Sequence, residues 1–150
     1  MAAIVESVEI ARRPMDVFSY ATDFSRYPEW QGGIASVRVE DHGPPAVGSK
    51  ALVTRRVGPR RLSGAEEIIE LSPPNSWTVR TVGGPVQATA SGTIEPLADG
   101  ERSRVTIALE FKGHGIGKLL VPLVVRRQAG RQLPINERRL KQLLESGRTA

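Results

Sequence analysis

The chain has 150 residues, 25% of them charged, with a formal net charge of +5 and no cysteine, which suits one domain able to bury its own core without a disulfide or metal staple. The absence of cysteine excludes disulfides, thiolate zinc sites and a cysteine nucleophile. The two histidines, His42 and His114, are too few for a histidine-rich metal site, so neither a metal nor a cofactor is expected.

The opening residues 1–10 carry Glu6 and Glu9 and have no basic start or long apolar core, so no signal peptide is expected. The longest apolar stretch, residues 119–125, contains Pro122 and is far shorter than the roughly 20 residues needed to span a bilayer. A soluble cytoplasmic protein is the expectation. Charge is distributed unevenly. Residues 113–150 hold eight basic side chains (Lys118, Arg126, Arg127, Arg131, Arg138, Arg139, Lys141 and Arg148) against Glu137 and Glu145, while the preceding part is nearly neutral. Such a stripe attracts nucleic acid or an anionic membrane in some proteins. The preferred reading is a helix whose outer face is solvated by arginine.

In chain order, residues 3–10 place Ile4, Val8 and Ile10 on one face at period two, a strand. Pro14 opens a helix, as proline does at the first helical position, with Met15, Val17, Phe18 and Ala21 as its apolar side. Asp23 is placed to cap a second short helix over residues 24–30, interrupted by Pro28. Six strands follow, at 34–40, 50–57, 61–71, 77–82, 86–95 and 104–112, separated by Gly- and Pro-rich turns. The short connections imply antiparallel meander pairing. In the last two strands Val86, Ala88, Ala90, Gly92 and Ile94 share one face, as do Val105, Ile107, Leu109 and Phe111, so the sheet is dry on one side only. A helix over residues 116–146 closes the chain. Leu119, Leu120, Leu123, Val124, Leu133, Leu140, Leu143 and Leu144 form its apolar side, and Pro134 is expected to bend or break it.

This order predicts an α+β fold in which one long helix covers the dry face of a seven-stranded, curved antiparallel sheet. A helix about 10 Å across does not fill the hollow of such a sheet. A cavity between them follows, of the kind that takes apolar ligands.

Several segments carry a family resemblance. Residues 8–18 (VEIARRPMDVF) resemble a strand followed by x-Pro-x-x-Val-Phe, and residues 21–30 (ATDFSRYPEW) resemble a D-x-x-x-x-P-x-W segment. Residues 66–74 (EEIIELSPP) resemble a strand ending in a proline turn, and residues 140–145 (LKQLLE) a closing L-K-x-L-L-E. Together they resemble the START-like (SRPBCC) superfamily, of the polyketide cyclase/dehydrase type, along nearly the whole chain. The resemblance implies a helix-grip fold in a single domain, 1–150. It also implies a range of functions, from polyketide aromatases and cyclases to lipid and quinone carriers, with no universal catalytic motif to transfer.

The residues expected to bind a ligand are Tyr27, Trp30, Ile68, Trp77, Ala90, Leu109, Phe111, Leu120, Leu123 and Val124. Ala88, Ala90 and Gly92 are small and leave volume unfilled. Strand alternation sends one of Arg55 and Arg56, and one of Glu66 and Glu67, inward. A cross-strand Glu–Arg pair there would orient a polar ligand group or act as acid and base. The favoured reading is that these charges sit at strand ends and reach water. His114, in a Gly-rich turn before the last helix, lacks G-x-G-x-x-G spacing and a parallel βαβ setting. It reads as a loop histidine, and His42 as a turn residue. Tyr20, Ser19, Thr54 and Thr89 offer hydroxyls without a nucleophile–base arrangement. Binding of a small apolar molecule (a lipid, quinone or polyketide) is therefore the first expectation, a polyketide cyclase or dehydratase the second, and an interaction module using the basic final helix the third.

Overall fold

The computed structural model describes residues 3–40, 43–82, 86–113 and 120–147. Strand β1 (Ile4–Ile10) leads into α1 (Pro14–Ala21), a 3-10 turn (Phe24–Arg26) and α2 (Tyr27–Trp30). The strands β2 (Ile34–Val39), β3 (Lys50–Val57), β4 (Arg60–Ser72), β5 (Ser76–Val82), β6 (Val86–Leu97) and β7 (Arg102–Gly113) follow, and α3 (Leu120–Glu145) comes last. The expected strands are all present. The short helix over 24–30 resolves into two pieces, because Pro28 falls in its middle and Asp23 turns the chain beforehand by accepting hydrogen bonds from the Ser25 N–H (3.0 Å) and hydroxyl (2.6 Å).

The seven strands form one antiparallel sheet in the order β1-β7-β6-β5-β4-β3-β2. Strands β2 to β7 are a plain meander, and β1 pairs with the far side of β7, so α1 and α2 bridge the two ends of the sheet. Pro14 occupies the first turn of α1, which buries Val17, Phe18, Tyr20 and Ala21. Tyr20 donates a hydrogen bond to Glu29 (2.8 Å), and the Arg26 guanidinium lies over the Tyr20 ring and beside Glu29, bracing α1 against α2.

Helix α3 lies across the concave face and packs chiefly on β1 and β7. Its inner stripe is Leu133, Glu137, Leu140 and Leu144, all buried. Its C-terminal end is tied to the β1–α1 junction. Arg12 donates to the Leu144 carbonyl (2.7 Å), Lys141 to the Glu9 carbonyl (2.7 Å), and the Ala11 N–H donates to Glu145 (2.8 Å). A cation on a last-turn carbonyl satisfies a group the helix leaves open and complements its dipole. The Ala11 N–H, with Lys141 behind it, holds the Glu145 carboxyl below its usual range. Pro134 lies inside α3, yet the helix runs through it unbroken. The expected break is absent because Leu133 and Glu137, on either side, are held by the sheet; tertiary packing outweighs the one backbone hydrogen bond that proline removes.

The core joins Ile10, Val17 and Phe18 to Ile68, Val79, Val105, Leu140 and Leu144. Among the described residues no helix is long and apolar enough to cross a membrane.

Candidate ligand-binding cavity

A cavity of about 170 Å³ lies between the curled sheet and α3. Its sheet wall is Trp77 and Val79 from β5, Ala88 and Ala90 from β6, and Ile107, Leu109 and Phe111 from β7. Tyr27 and Trp30 of α2 also line the cavity. On α3 the wall runs through Val125, Gln128, Ala129, Gln132, Leu133 and Asn136. The exposed Gly32, Gly33 and Arg56 belong to its rim.

Six of the residues expected from sequence therefore meet at one cavity: Tyr27, Trp30, Trp77, Ala90, Leu109 and Phe111. Two do not join them, and the side chains of two lie outside the described residues. Ile68 faces the same side of β4 as Glu66 but is fully buried in the core and is not part of the cavity lining. Val124 is 56% exposed and points away, while its neighbour Val125 lines the cavity. One residue is 100° of helix, so Val124, next to a cavity-lining residue, faces elsewhere. The side chains of Leu120 and Leu123 lie outside the described residues, as do His42 and His114. Among the described residues, the cavity takes in the Val125–Asn136 stretch of α3.

Gly92 also departs from expectation. It leaves no space for a ligand, because Trp77 sits directly across the β5–β6 pairing and its indole covers the glycine; a methyl group at Gly92 would overlap the ring. Phe18 holds that indole edge-on at 5.9 Å. Ala88 and Ala90, by contrast, do line the cavity.

The charged pairs resolve to Arg55 and Glu66. Glu66 stands in the middle of β4, is only 6% exposed and lines the cavity, contrary to the expectation of a charge reaching water from a strand end. Burial of a carboxylate demands a partner, and Arg55 Nη2 supplies one at 3.0 Å. The parity was readable. Ala51 and Val53 alternate with Arg55 on β3, and Ile68 shares parity with Glu66 on β4. Tyr27 lies within electrostatic reach of this pair. Burial raises the pKa of its hydroxyl well above the ordinary value, Glu66 adds to the rise and Arg55 opposes it. The phenol therefore stays protonated and available as a donor. Trp30 meets the Tyr27 ring edge-on at 5.9 Å, with its indole N–H buried and unpaired among the described residues.

One polar feature was not anticipated. Gln128, Gln132 and Asn136, at four-residue spacing, form a ladder along α3. Gln128 donates to the Arg56 carbonyl (2.7 Å) and accepts from the Gly58 N–H (3.3 Å). Asn136 accepts from the Gly32 N–H (2.9 Å) and from Gln132 (2.8 Å). Arg56 in turn donates through its backbone N–H to the Gly33 carbonyl (2.7 Å). The ladder joins α3 to the β3–β4 turn and to the loop after α2, along one side of the cavity. Spacing of three amides at i, i+4 and i+8 was the available signal. Gln128→Ala should cost about 1 kcal/mol and speed hydrogen exchange at the Gly58 amide; unchanged exchange there would show that the ladder does not hold the turn.

The family profile described as polyketide cyclase / dehydrase and lipid transport matches residues 1–145. The chain belongs to this family. Its fold is shared with the Zhui aromatase/cyclase of Streptomyces sp. R1128, at a TM-score of 0.80 and 15% identity over 99% of this chain and 96% of that one. It is also shared with a START superfamily protein from Mycobacterium smegmatis (0.78, 17%, 97% and 99%) and a protein of Thermus thermophilus (0.79, 14%, 97% and 98%). At such identities the likeness is one of fold. No match was found among curated proteins.

Proposed function

We propose that this member of the polyketide cyclase/dehydrase and lipid transport family binds a small hydrophobic molecule in the cavity between its sheet and α3. The observation that carries the reading is the cavity wall, in which Trp77, Val79, Ala90, Ile107, Leu109 and Phe111 present continuous apolar surface beneath a helix that does not fill the space. An engineered cavity of ~150 Å³ in another protein takes up benzene, so a space of about 170 Å³ with an open rim suits a ligand body of one or two rings. Naphthalene titrated into the protein is expected to shift the methyl NMR signals of Ile107 and Leu109. Ala90→Phe, which puts a ring into the space, should abolish those shifts while the fold survives. Shifts that persist in Ala90→Phe, or that never appear in the wild type, would remove the reading.

A second reading, a cyclase or dehydratase acting on a polyketide, draws on the Arg55–Glu66 pair in the cavity wall beside Tyr27. A carboxylate there can take a proton from a bound carbon acid or hydroxyl, and a cation beside it stabilises the charge that develops. It requires a poly-β-ketone thioester to be turned over by the wild type and not by Glu66→Gln. As for the basic face of α3, we expect no salt-sensitive retention on RNA or anionic vesicles.

A further inference from the structure

Glu137 stands directly behind the cavity wall, and nothing around it stabilises a charge. The residue is 2% exposed, and both carboxyl oxygens are sealed without a hydrogen-bond partner among the described residues. Among those residues no cation is set against it. On β1 the inward face is Ile4, Glu6, Val8 and Ile10, so the charged group there is a second carboxylate. On β7 the inward side chains are Val105, Ile107 and Leu109. From α2 come the acid Glu29 and the phenol of Tyr27, and on β3 Arg55 is engaged by Glu66. On α3 itself Lys141 is committed to Glu145 and the Glu9 carbonyl, and Arg138 and Arg139 are exposed. A lone carboxyl in such a place is either neutral or moves to water.

Its position links that choice to the cavity. Asn136 beside it and Leu133 one turn earlier both line the cavity, as does Ile107, whose peptide group faces Glu137 from β7. The helix also has a weak point here. Pro134 has no N–H to give the Gly130 carbonyl four residues earlier, and glycine is itself a poor helix former. Leu133 and Glu137 hold the helix straight across this point by their burial against the sheet. A charged Glu137 forfeits one of those two holds, while the end of the helix stays tied by Arg12, Lys141 and Glu145. We infer that the cavity is gated by a proton on Glu137: with the carboxyl neutral, α3 lies closed over the guest, and with it ionised, α3 bends at residues 130–134, lifts Leu133 from the sheet and lets the guest go. The inference rests on the cavity reading above and adds its regulation.

The test titrates naphthalene, which carries no ionisable group, into the whole chain at pH 7 and at pH 9, followed by methyl NMR. A carboxyl that titrates at about 8 is protonated in most molecules at the first pH and in roughly a tenth at the second, so binding should be about tenfold weaker at pH 9. Glu137→Gln and Glu137→Leu should each bind equally at both. Hydrogen exchange at pH 9 supplies the second readout. The amides of Leu133, Ile135 and Asn136 should exchange faster in the wild type than in Glu137→Gln, by a larger factor than those of Leu143 and Leu144 near the tied end. Equal wild-type affinity at the two pH values would overturn the inference and leave the cavity reading standing. So would a weakening that persists in both variants, or exchange that quickens uniformly along α3, which marks global unfolding. Failure of naphthalene to bind even at pH 7 would overturn both. The wild-type comparison and either variant suffice should the other fail to fold.

Discussion

Glu137→Leu is expected to stabilise this protein at pH 8 and above and to flatten the dependence of its stability on pH. Glu137 is 2% exposed, stands on the α3 stripe between Leu133 and Leu140, and neither of its oxygens has a hydrogen-bond partner among the described residues. Burial, and then the charge of Glu6 on the facing strand β1, push its pKa from 4.5 up to about 8. The Ile107 peptide group opposes this weakly, without reaching hydrogen-bond geometry. The sign follows from proton counting. Between the ordinary carboxylate value and about 8 the folded protein keeps a proton that the unfolded chain has lost, so stability falls as pH rises through that window. It is greatest below the lower value and levels off above the upper one.

At ~1.4 kcal/mol per pH unit, the loss across the window is on the order of a few kcal/mol, a large share of an ordinary domain's stability. Thermal melts from pH 5 to pH 9 should show the wild type losing about 10 °C more than Glu137→Leu. Glu137→Gln should also flatten the curve, and Glu6→Gln should flatten it in part by removing the repelling charge. Parallel wild-type and Glu137→Leu curves would refute this account of the buried carboxyl.

Gly92→Ala should destabilise the fold and disable the cavity together. The added methyl overlaps the Trp77 indole, and Phe18 blocks one direction of retreat. Overpacking of this kind costs about 1–3 kcal/mol, or roughly 5 °C in a chain of this size. The indole already borders the cavity, so the room left for it is the ligand's room. Weaker naphthalene binding should therefore accompany the lower melting temperature. An unchanged melting temperature with undiminished binding would mean that the strand shifts freely and that the Trp77–Gly92 pairing constrains nothing.

The extent to which this site was readable from sequence follows from what each signal measures. Period-two alternation on β6 and β7 located Ala90, Leu109 and Phe111, because a sheet with one covered face sorts its residues by polarity. The same logic could have selected Arg55 and Glu66 from the apolar residues beside them; the general rarity of buried charge pointed the other way. On α3 the apolar count found Leu133, Leu140 and Leu144 but passed over the polar residues facing inward. Among the described residues, half of the cavity-lining face there is Gln128, Gln132 and Asn136, and the buried stripe further on includes Glu137. Amides and a protonated carboxyl do not register as buried in a hydrophobicity pattern, although each is inside for a physical reason. Gln128 and Asn136 satisfy backbone groups of neighbouring loops, Gln132 donates to Asn136, and Glu137 sheds its charge. Trp77 covering Gly92 was beyond reach, since a side chain spending its volume on a cross-strand glycine leaves no trace in either strand's own pattern.

The amide ladder along α3 has a consequence for how this fold can vary. Gln128 and Asn136 grip the peptide groups of Arg56, Gly58 and Gly32, never a side chain of those loops. Every amino acid except proline offers the same peptide N–H, and all offer the same carbonyl. The side chain at position 56 can therefore be exchanged without unfastening the helix, and so can residues elsewhere in these loops that neither fill the seam nor set its turns. Gly32 is the exception, since a side chain there would overlap Gln132. The rim is in this sense modular: a fixed clasp of three amides on one side, and on the other a margin whose chemistry is free to be rewritten for a different guest.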